Sequence, residues 1–215
     1  MSVPVPGPGD PLAAAVALAD ALDTRRVPLT LLVGPRPHPD VADWVRARRR
    51  VGDAVLVAGT GPGAVPDHRL PEHEARLRLT ATSRTLDAHG VAVDGFAAPG
   101  GAVSGGVRRA LVPAGLDLLL DADGVHRLDA AGERVASWFD EAAGGPTTRL
   151  RPWRRRPPRA GDLLGVDGGC AGALASADAA LDRGHVPVTA SGLARVRSTA
   201  RPTRLGDPES WSITA

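Results

Sequence analysis

Two stretches of this 215-residue chain are apolar at almost every position: Val27 to Val33 (VPLTLLV) and Leu116 to Leu120 (LDLLL). A strand that faces water on one side alternates apolar with polar residues. A strand that is apolar throughout is buried on both faces, which is the condition of a parallel sheet covered by helices. Further strand-like runs are Ser2–Val5, Asp53–Ala58, Val91–Ala98, Leu163–Val166 and Val186–Thr189. Pro4 and Pro6 place the first of these at an edge, because proline cannot donate to a ladder.

Between the runs the apolar period changes from two to about three and a half. Pro11 opens an Ala-rich helix with Leu12, Val16, Ala19 and Leu22 on one face. Asp40 is placed to cap a second helix carrying Val41, Trp44, Val45 and Arg48. From Pro71 a longer helix shows the stripe Ala75, Leu79, Thr82 and Leu86, has Glu72 and Glu74 at its positive end, and closes at Gly90. Ser104 caps a fourth helix through Val107, Ala110 and Leu111, and Ala171 to Arg183 makes a fifth. Residues 125–139 read as a hairpin and a short helix. The rhythm predicts βαβ units with seven or eight strands, enough to close or nearly close a barrel. That barrel spans residues 1–193; over residues 194–215 hydrophobic density falls and a disordered tail is expected.

Composition sets limits on function. Hydrophobic residues make up 43% of the chain and aromatics 3%, so Ala, Leu and Val must fill the core. All 26 basic side chains are arginine, yet the formal net charge is only +2, too small to argue for a nucleic-acid partner. The Arg151–Arg159 cluster around Trp153 reads as a solvated loop. Cys170 is alone and offers no disulfide framework; it reads as a small helix-start residue. No apolar run approaches the about 20 residues needed to cross a bilayer, and no leader is evident at the first residues. A cytoplasmic protein without a membrane partner is the expectation.

Motifs that carry chemistry are few. Gly59-Thr60-Gly61-Pro62-Gly63 has the composition of a phosphate loop but lacks the Lys and Ser/Thr such a loop needs, and reads as a plain loop. His68 and His73 would lie roughly 140° apart on one helix and cannot share a metal there. His89, His126 and His185 sit near helix ends or turns and read as structural. A barrel places its chemistry at the C-terminal strand ends. By that rule Asp121, Asp123 and Asp167 are the candidate catalytic residues. Arg36 and His38, after the second strand, and Pro99, after the fourth, are the candidate binding residues. Asp121-Ala122-Asp123-Gly124 equally suits a simple turn.

Several segments in order, RRVPLTLLVGPRP, DWVRARRRVGDAVLVAG, LPEHEARLRLTATSRTLDAHGVAVDGFAAP, RALVPAGLDLLLDADGVHRL and ALDRGHVPVTASGL, resemble the polysaccharide deacetylase (NodB-homology) superfamily, in particular its actinobacterial deacetylase-like branch. The resemblance implies an α/β fold, a distorted and incomplete (β/α)7–8 barrel. It also implies metal-dependent hydrolysis of N-acetyl groups on sugars, in which a divalent ion such as zinc activates water, a carboxylate takes its proton and a histidine protonates the leaving amine. The family's chemical positions have changed here. The carboxylate pair after the first strand is replaced by Val5-Pro6-Gly7, with no acid before Asp10. The two metal-binding histidines correspond to Ala58 and Pro62, the arginine before the prolines falls in Phe96-Ala97-Ala98-Pro99-Gly100, and the late histidine region reads Val166-Asp167-Gly168. Two functions stay open: a hydrolase whose metal site has moved to Asp121, Asp123, Asp167 and His38, or a catalytically silent barrel that binds a glycan, a small ligand or a protein.

Overall fold

The computed structural model describes residues 2–5, 10–61, 65–122, 124–130, 134–137, 170–184 and 186–199. Strands β1 (Ser2–Val5), β2 (Thr30–Val33), β3 (Ala54–Ala58), β4 (Gly95–Ala97) and β5 (Leu118–Asp121) alternate with helices α1 (Asp10–Asp23), α2 (Pro39–Arg50), α3 (Glu72–Ala88) and α4 (Gly105–Leu111). A hairpin follows, β6 (Gly124–Leu128) and β7 (Arg134–Ser137); α5 (Cys170–Leu181) and α6 (Ala190–Thr199) close the described chain.

The strands form one sheet in strictly sequential order, β1 to β7. The first five are parallel, with Thr30 level with Ala54 and Leu56 level with Gly95. The last two turn back antiparallel. The fold is therefore α/β, as the two-sided apolar runs require, but its described sheet is a ladder of five parallel strands ending in a hairpin rather than eight repeated βα units. Pro4 stands on β1, the edge strand, where its missing N–H costs no ladder bond.

Sequential order has a geometric consequence. Right-handed crossovers between neighbouring parallel strands carry every helix to the same face of the sheet. Leu31, Val33, Val55, Val57, Phe96 and Leu119 point to that face and pack with Leu22 of α1, Val45 of α2, Leu79 of α3 and Leu111 of α4. The alternate residues Leu32, Leu56, Ala97, Leu118 and Leu120 point the other way, into a second cluster covered by Ala190, Leu193 and Ala194 of α6. Ala190 donates its backbone N–H to the buried Thr30 hydroxyl (2.9 Å), which fixes the start of α6 against β2. The expected strand at 186–189 is thus an irregular lead into α6, and the first part of the expected tail is helical to Thr199. Val186 and Val188, whose apolar character suggested a strand, are exposed and stand before the helix; the remaining tail residues, 200–215, lie outside the described residues, as do the strand expected at 163–166 and the short helix expected after the hairpin.

Helix α3 buries the four residues of its stripe, Ala75, Leu79, Thr82 and Leu86, and no others. It packs closely on α4 because Gly106 has no side chain: a Cβ there would come within 2.6 Å of the Glu72 nitrogen. Ser104 caps α4 by accepting from the Val107 N–H at 3.0 Å. At α2 the cap is His38 rather than Asp40. Pro39 occupies the first helical position, so the chain enters the helix two residues earlier, and His38 Nδ1 accepts from the Asp40 N–H at 3.3 Å.

Beyond the hairpin the chain returns to its beginning. Ala173 and Ala177 of α5 join the same core as α1, and Arg25, just past α1, donates to both carboxylate oxygens of Asp178 at 2.6 and 3.1 Å. Among the described residues no helix is long and apolar enough to cross a membrane.

Candidate functional site

The C-terminal ends of the parallel strands form one rim, built from the loops that follow β2, β3, β4 and β5. The loop after β2 holds Arg36, which is exposed, and His38, whose side chain is about half exposed (46%). His38 Nδ1 is committed to the helix cap, and Asp40 lies 3.4 Å from the same nitrogen. Nε2 is the imidazole nitrogen that is not part of this cap.

After β3 the chain turns at Gly59, with φ +83°. Glycine is required there twice over: a side chain would be strained at that φ, and a Cβ would stand 2.9 Å from Pro99 Cγ. Thr60 is buried, and Asp67 holds it by accepting from the Thr60 N–H (3.1 Å) and hydroxyl (2.5 Å). Thr82 of α3 donates to the Thr60 carbonyl (3.1 Å). Thr60, in the described part of the segment that has the composition of a phosphate loop, is thus held by Asp67 and Thr82, and Asp67 is spent on that task. Sequence reading missed Asp67; its place seven residues after a Gly-Thr-Gly turn was the available signal. Pro99 is exposed and opens a single 3-10 turn, Pro99–Gly101, packed against Gly59.

The strand-end acid is Asp121. It follows Leu119 by two residues, so it shares Leu119's face and turns toward α1–α4, away from the opposite face where Leu120 points. There it is buried and doubly engaged. Arg108 Nη2 of α4 donates to Oδ2 at 2.6 Å, and His126 of β6 meets Oδ1 through Nε2 at 2.7 Å. The antiparallel register explains the second contact, because His126 stands opposite Leu119 and so on the same face. His126 is fully buried, and its Nδ1 has no hydrogen-bond partner. His126, read from sequence as structural, and Arg108, which sequence reading placed in no site, are therefore the partners of the acid. Asp123, Asp167 and Pro62 lie outside the described residues.

Ala58, the position matched to the first metal-binding histidine, ends β3 on the face opposite α1–α4, in phase with Leu56. A methyl group there offers no donor. Among the described residues no three His, Cys, Asp or Glu side chains converge on a point where they could hold a metal ion. Asp121 is taken up as an ion-pair partner and His38 has no second and third ligand beside it among the described residues, so the described part of the rim does not fit the divalent ion the resemblance implies.

No family model, no curated protein and no solved structure matches the chain.

Proposed function

We propose that this chain is a barrel-type relative of the polysaccharide deacetylases that has kept the scaffold and lost the hydrolytic centre, and that it serves as a binding module for a carbohydrate at the C-terminal rim. One observation carries the loss of hydrolysis. The rim's single described strand-end carboxylate, Asp121, faces the helix layer and is held by Arg108 and His126, while Ala58 faces the opposite side, where a ligand would be needed. A carboxylate held between a guanidinium and an imidazole in a buried setting is not poised to take a proton from water at the rim.

Two features support the barrel reading. Strictly sequential strands with every crossover helix on one face are the arrangement of a singly wound barrel wall. The contact of α5 with α1, clasped by Arg25 and Asp178, adds a helix beside the start of the helix layer, an arrangement compatible with a curled sheet whose other face is covered by α6.

Calorimetric titration with an N-acetylated chitooligosaccharide, run beside an assay for released acetate with and without zinc, tests the proposal. Saturable binding with no acetate under either condition is expected. Zinc-dependent acetate release that disappears in Asp121→Ala would overturn it in favour of a hydrolase with a displaced metal site at Asp121, Asp123, Asp167 and His38. Absence of binding would remove the carbohydrate as ligand.

A further inference from the structure

We draw no further inference here: the strongest candidate, the buried Arg108–Asp121–His126 cluster beneath α4 with its unpartnered His126 Nδ1, belongs to the site already described, and that nitrogen is closed to solvent, so nothing in the structure says what it would bind.

Discussion

The two rims of the sheet are built from the same residue types to different ends. At the N-terminal rim an aspartate precedes each of three successive strands: Asp53 before β3, Asp94 before β4 and Asp117 before β5. Each is met by an arginine. Arg48, nearly buried, donates to Asp53 through Nε (2.6 Å) and to Asp23 at the end of α1 through both terminal nitrogens (2.5 and 2.9 Å). Arg49 forks onto Asp94 at 2.7 and 2.9 Å, and Arg127 reaches Asp117 at 3.2 Å. Asp53 and Asp94 also accept backbone N–H groups, from Leu29 (2.8 Å) and Val55 (2.9 Å), so each stitches two neighbouring strands. Among the described residues the C-terminal rim has one acid at a strand end, Asp121, with Arg36, His38 and Asp67 in the loops beyond the strands. Charge at the N-terminal rim holds helix ends to strand starts, whereas at the described C-terminal rim Asp67 is taken up in holding a loop and Asp121 in holding α4 and β6.

That contrast can be broken by mutation. Arg48→Ala should have the largest effect, because it leaves Asp53, with a side chain only 3% exposed, as an uncompensated buried charge. A loss of about 3–5 kcal/mol is expected for breaking a buried pair, read as a lower urea midpoint with an unchanged slope. A loss under about 1 kcal/mol, the range of exposed pairs, would erase the distinction between the rims. Asp121→Asn should cost less, about 1–2 kcal/mol. Asparagine keeps the shape and can still accept from Arg108, whose side chain is 27% exposed and retains access to water. The same variant should bind the chitooligosaccharide as the parent does; a lost affinity would move Asp121 from scaffold to site.

Acidification gives the smallest and most selective effect. The Arg48 guanidinium hydrogen-bonded to Asp23 holds that carboxyl below its ordinary value of 3.8, against a lesser opposing effect of burial. The folded state therefore gains from ionised Asp23 above that ordinary value, and the gain fades as pH falls below 3.8 through the lowered folded-state pKa. Arg48→Met should flatten the part of the stability–pH curve in that window. An unaltered curve would show that the N-terminal rim contributes nothing to acid sensitivity.

Much of this architecture is written locally in the chain. The stripe on α3, the Ser104 cap and the buried run of β2 follow from spacing and side-chain chemistry alone, since those elements contact their neighbours in the expected way. What escapes local reading depends on parity and partners. In LDLLLDADG every core position is leucine, so the run gives no sign of which leucines face the helices, and hence none of where Asp121 points. That face is set by pairing with Phe96 on one side and His126 on the other. The hairpin of β6 and β7 is legible at residues 125–139, but nothing local shows that β6 also pairs antiparallel with β5. At 186–199 the segment VPVTASGLARVRST carries no local sign of its place, and only the contact of Ala190, Leu193 and Ala194 with the sheet face opposite α1–α4 shows where its helix lies. The repeated Asp before a strand, by contrast, was present in the sequence and went unread, because its arginine partners stand at separations from 5 to 45 residues.

The clasp between α1 and α5 has a bearing on how the chain reaches this state. Each parallel strand finds its neighbour over a short span of chain, but Arg25 and Asp178 stand 153 residues apart. Closing so long a loop gains little until its ends are already organised, since the entropic cost comes before the contact's return. The α1–α5 seam should then form after the rate-limiting barrier. Ala177→Gly should hasten unfolding and leave the refolding rate unchanged, making this seam the place where the native protein first comes apart.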